Sequence, residues 1–90
     1  MSLSEEEKSK LLKRLGRIRG QVEALRRAVA EDAGSKAVLT QATACRGALD
    51  SFIAEVIEDH IRDNVLAAPD RDQAVQAAEE LIDIVHSYMT

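Results

Sequence analysis

Aromatic side chains are nearly missing from this 90-residue chain, which has one Phe, one Tyr and no Trp. With only Phe52 and Tyr88 available, any core has to be aliphatic, built from Leu, Ile, Val and Ala. Cysteine occurs once, at Cys45. That excludes an internal disulfide framework and fits a reducing compartment such as the cytoplasm. No apolar run approaches the roughly 20 residues of a membrane span, and no signal-peptide pattern opens the chain. Alternating strand patterns and Gly-rich phosphate loops are also missing. No nucleophile and base stand at a telling spacing, so an enzyme is not expected. What is present, 46% hydrophobic and 31% charged residues, is the composition of one folded helical domain over residues 1–90.

The most organised stretch is KLLKRLGRIRGQVEALRRAV, residues 10–29. Leu11, Leu15, Ile18, Val22, Leu25 and Val29 recur at alternating steps of four and three. That is the seam of a helix made to pack lengthwise on other helices. Lys10, Lys13, Arg14 and Arg17 fall within one sector about 110° from the seam centre, at about 100° per residue. One helix therefore offers an apolar edge inward and a basic face outward.

Charge is divided unevenly. Residues 1–27 hold eight Lys/Arg and four Glu, a net +4, and residues 28–90 hold four Lys/Arg and twelve Asp/Glu, a net −8. Within residues 8–27 only Glu23 opposes eight cations. A solvated helix face explains this in the simplest way. An acidic partner, either DNA or the acidic half of the protein itself, explains it better.

Taken in order, residues 1–4 are expected to be flexible. Ser4 and Glu7 form a capping box that starts a first helix at Glu5, and the seam carries it to about Ala30. Gly34 reads as the helix-ending glycine and Ser35 as the cap of a second helix. That helix has Val38, Ala42, Cys45, Leu49, Phe52 and Val56 on one stripe and Ile53, Ile57 and Ile61 on another. It is expected to reach Asn64 or Val65, ahead of the break at Ala67-Ala68-Pro69. Asp70 and Gln73 cap a third helix with Ala74, Ala78, Leu81, Val85 and Tyr88 on one face. A second helix of about thirty residues is about 45 Å long. A compact monomer of this size is only about 30 Å across, so helix faces need cover from further copies.

Gly16 and Gly20 lie away from the seam, where each costs about 0.8–1.0 kcal/mol relative to Ala. They permit close backbone approach by a helix or a nucleic acid, or are simply tolerated. Cys45 lies on a seam and reads as a small buried hydrophobe. His86 reads as a surface histidine, and His60, among carboxylates near a helix end, as a structural or solvated one.

The blocks KRLGRIRGQVEAL and LTQATACRGALDSFIAEVIEDHIRDNV, with Tyr88, resemble the copper-, nickel/cobalt- and formaldehyde-responsive repressor family (CsoR/RcnR/FrmR type), closest to the formaldehyde and nickel/cobalt branches. The resemblance runs from about Lys8 to Tyr88. Its most specific parts are Arg14, Arg17, Gly20 and Gln21, and the acidic, His-containing end of the second helix. It implies an all-α three-helix protomer with a long central helix, an antiparallel helical dimer and a dimer of dimers. It further implies a cytoplasmic homotetramer that binds operator double-stranded DNA without a helix-turn-helix and is released by a small inducer. The family's DNA-contacting basic residues match Arg14, Arg17 and Arg46, with Lys10 and Lys13 as helpers.

The sensing positions depart from that pattern. Where the family has a cysteine, a histidine from the partner chain and a further ligand one turn on, this chain reads Ser35, His60 and Asn64. A serine hydroxyl is a poor metal ligand and a far weaker nucleophile than a thiolate. The resemblance therefore leaves at most weak binding of a divalent transition metal at His60, no tight site, and no formaldehyde crosslink at residue 35. Ser35→Cys is expected to install metal affinity. A helical protein-interaction module, whose basic first helix docks an acidic protein, stays open as an alternative. A metal-storage role is disfavoured by the ligand count.

Overall fold

The computed structural model describes residues 3–89, apart from the Met89 side chain. Met1 and Ser2, part of the stretch expected to be flexible, lie outside the described residues. In chain order come α1 (Glu5–Ala30), α2 (Ser35–His60), a π-helical segment (Ile61–Leu66) and α3 (Arg71–Met89). No strand occurs among the described residues. The fold is the all-helical, three-helix one.

The helix ends show how local chemistry sets the boundaries. α1 begins directly after Ser4 and ends at Ala30, as the capping box and seam require. Its stop differs from the expected one. Asp32, at φ 52°, takes the left-handed position. The Ala33 amide donates to the Ala28 carbonyl at 3.0 Å and the Asp32 amide to that of Val29 at 3.1 Å. This is a Schellman closure with an aspartate where glycine is commoner, a conformation that Asp tolerates better than most residues. Gly34, at φ 97°, comes after that closure. Its carbonyl accepts from the Val38 amide at 3.1 Å, which puts Gly34 in the capping position and makes Ser35 the first helical residue.

α3 starts as its sequence prescribes. The Asp70 carboxylate accepts from the Gln73 amide at 2.8 Å and from the Gln73 side chain at 3.2 Å. α2 is the element that differs in form. Its α-helical turns stop at His60, and the chain winds on as a π-helix to Leu66. The Ala67 amide donates five residues back, to the Arg62 carbonyl at 3.2 Å. Pro69, with no N–H to give, lies just beyond.

The chain forms two compact units. In the first, Glu5–Ile53, Leu11, Ile18 and Cys45 are buried, and the Gln41 side-chain amide donates to the Gln21 carbonyl at 3.3 Å. The α1 seam splits into two rows. Leu11 and Ile18 are buried and Leu25 is half-buried, whereas Leu15, Val22 and Val29 are 39, 48 and 61% exposed. Every second seam position thus remains open. In the second unit, from Ala54 onward, α3 packs on the π segment. Asp59, His60 and Ala77 are its buried residues. Leu66, Ile82, Ile84 and Tyr88 stay exposed.

Candidate nucleic-acid interface and sensing positions

All five basic candidates lie in the Glu5–Ile53 unit. Lys10, Lys13 and Arg17 are exposed on α1, Arg14 beside them is half-buried, and Arg46 is exposed on α2. The Gln41–Gln21 bond fixes the register of the two helices. α1 and α2 run in opposite senses across a four-residue turn, so five residues on from Gln41 is level with five residues back from Gln21. Arg46 is therefore level with Gly16 and Arg17, and the basic residues of both helices share one height.

Ion pairing sharpens this arrangement. Glu5 takes Lys8 at 3.3 Å, and Glu23 takes Arg26 at 2.7 Å. The hydrogen bond and the charge of Arg26 hold the Glu23 carboxyl below the usual carboxylate range, and Glu23 in turn raises the Arg26 guanidinium. Glu23, the one anion among the eight cations of residues 8–27, is thus neutralised locally. No ion pair among the described residues involves Lys10, Lys13, Arg17 or Arg46. The cations at the middle of the stretch keep their full field, while those at its edges are compensated.

The glycines of α1 have no packing reason within the chain. A Cβ added at Gly16 or Gly20 would meet nothing within 4 Å. Both glycines border the exposed cations, since a residue at i+3 or i+4 is a neighbour on a helix surface.

The three sensing positions are differently placed. Ser35, exposed, opens α2 and lines a shallow hollow of about 380 Å3 with Ala28, Val29, Val38 and Leu39. His60 closes the same 26-residue helix and is 2% exposed. Its Nε2 lies 3.0 Å from the Ala77 carbonyl, and its Nδ1 lies 3.3 Å from the Asn64 amide nitrogen. This set does not fit a transition metal. It offers a neutral hydroxyl, an amide, and an imidazole with both nitrogens already engaged. Among the described residues no three His, Cys, Asp or Glu side chains group as a metal site. The structural reading of His60 is the one realised, and His86 is exposed as expected. Sequence reasoning missed the partner at Ala77. A small residue on α3, one turn after Ala74 on the expected inner face, was the available signal.

Comparison with known proteins follows the same lines. Residues 7–87 match the family model described as metal-sensitive transcriptional repressor, a match that spans both compact units. The chain is 41% identical over 90 residues to an uncharacterised protein encoded in the bioA 5′ region of Serratia marcescens, covering 99% of each. It is 33% identical over 89 residues to the transcriptional repressor RcnR of Citrobacter koseri, again covering 99% of each. Among solved structures it resembles a variant of the formaldehyde-responsive regulator FrmR from Salmonella enterica serovar Typhimurium. The TM-score there is 0.85 at 35% identity, over 97% of this chain and 99% of that one. The chain belongs to the metal-sensitive transcriptional repressor family, a family of regulators and not of enzymes.

Proposed function

We propose that the protein is a DNA-binding transcriptional repressor of the cytoplasm, working as a homotetramer on operator duplex DNA. Arg14, Arg17 and Arg46 contact DNA in this reading, with Lys10 and Lys13 adding to the field. The observation that carries it is the run of cations without acidic partners at the centre of α1, level with Arg46 on α2. Such a surface gains affinity by releasing the counterions condensed on DNA. One 9.9 kDa chain offers too few of these contacts to hold an operator. Repetition in an oligomer supplies the rest, and the open row Leu15, Val22 and Val29 gives further copies an apolar face to cover. No helix of the described residues is long and apolar enough to cross a membrane, in keeping with a repressor that works on DNA.

Release by a small inducer completes the proposal. A formaldehyde-type electrophile would find a hydroxyl at Ser35 in place of a thiolate, and a metal would find the closed donor set described above. The inducer of this repressor therefore acts by a chemistry other than a cysteine-based switch at residue 35. A gel shift on the DNA upstream of its own gene, repeated across a salt series, tests the DNA reading. Specific retardation that weakens steeply with salt is expected. Salt-insensitive or absent binding to duplex DNA, with capture of an acidic protein instead, would replace it by the protein-docking alternative.

A further inference from the structure

His60 makes a hydrogen bond at each ring nitrogen, and DNA contact uses neither. A carbonyl oxygen can only accept, so the Nε2 atom, 3.0 Å from the Ala77 oxygen, holds the ring proton. Nδ1 is then the nitrogen with the lone pair, and the Asn64 amide N–H donates to it across 3.3 Å. The two bonds agree on one neutral tautomer. They also join three successive elements: His60 ends α2, Asn64 belongs to the π segment, and Ala77 lies on α3. The wide π turn holds the Asn64 amide against the imidazole, and the ring is almost wholly shielded from solvent.

We propose that Asn64 closes His60 to metal ions, and that His60 serves as a strut fastening α3 to the end of α2. A metal approaching Nδ1 has to displace the amide. One approaching Nε2 has to break the bond to α3 and send the ring proton to Nδ1, against an N–H that already points there. Both routes cost a buried hydrogen bond before any metal bond forms. The histidine of a sensing site is thus retained as a structural part, with its partner at position 64 setting which chemistry it can do. This inference rests on the family assignment only for the class of ligand it excludes, and it does not depend on DNA binding.

The test uses the full chain, labelled with 15N, and reads the ring nitrogens of His60 and His86 during titration with Zn(II). In the unaltered protein His60 should show a protonated Nε2 and a lone pair at Nδ1, and should stay still while exposed His86 responds. Asn64→Ala removes the donor and leaves the bond to Ala77. His60 should then respond to Zn(II), with affinity at that ring about fivefold higher, the equivalent of one hydrogen bond. His60→Ala should speed hydrogen exchange of α3 amides and leave those of α1 unchanged. A proton on Nδ1, or His60 shifts at substoichiometric Zn(II) in the unaltered chain, would overturn the proposal. So would a folded Asn64→Ala protein whose His60 remains silent. Should that variant fail to fold, the tautomer and titration of the unaltered chain still decide. No DNA enters these measurements, so failure here leaves the repressor reading standing, and failure of the gel shift leaves this one standing.

Discussion

Replacing Arg17 by alanine is the sharpest perturbation of the basic face. Arg14 is the less clean choice, because it is half-buried and has an interaction within the chain, so its loss mixes folding with binding. Arg17 is exposed and in no ion pair among the described residues. Alanine is the better helix former, so α1 should hold. Each phosphate contact adds about 0.9 to the slope of log K against log salt. With about 1 M salt as the common reference, losing one contact weakens binding about fivefold near 0.15 M. If two copies of Arg17 face the duplex, the loss is about thirtyfold and the slope falls by about 1.8. Fluorescence anisotropy with a labelled operator at several salt concentrations reads both quantities, and circular dichroism checks the helix. Arg26→Ala is the control. That guanidinium is already tied to Glu23, so the slope should barely move. Equal slopes for Arg17→Ala and the unaltered protein would refute the assignment of this face to phosphate, whatever the affinity did.

Three further outcomes are expected. Sedimentation should give about four times 9.9 kDa, and Val22→Glu, which puts a charge on the open seam row, should shift the population to smaller species; an unchanged mass would place the interface elsewhere. Gly16→Ala should raise stability to chemical denaturation by about 0.8–1.0 kcal/mol, because the added methyl meets nothing within 4 Å; a loss would reveal a backbone from another chain at that point. Glu23 has a lowered carboxyl pKa in the folded chain. Its contribution is therefore present above the unfolded pKa and lost as pH falls through the folded one, so Glu23→Gln should slightly flatten the acid side of a stability–pH curve. The pair is exposed, which makes the effect small; a change on the alkaline side would contradict the assignment.

The parts of the fold written in neighbouring residues were legible. Glu5 and Ala30 bound α1 because a capping box and a seam are local patterns. Asp70 and Gln73 cap α3 for the same reason. The turn after α1 was misread because two residues, Asp32 and Gly34, hold left-handed conformations and the sequence favours the glycine. The family's mark on Arg14, Arg17 and His60 was visible, but the state of His60 was not. Its burial depends on Ala77, seventeen residues away, and on a π turn that no periodicity announces. That state also changes one expectation. Ser35→Cys alone leaves Nδ1 closed by Asn64, so metal affinity should appear fully only when Asn64 is replaced as well.

The π segment has a consequence for how this chain tolerates insertions and deletions. A π turn accommodates an additional residue while advancing the axis little, so it works as a phase shift in the helix. A chain one residue shorter between 61 and 66 could close the ordinary α-helical ladder. Everything beyond would then rotate about 100° around the axis, turning Asn64 off the imidazole and re-aiming the exit toward Pro69. In this part of the molecule the number of residues sets the direction of the chain more firmly than their identity, and a length change should be harder to accommodate than most substitutions.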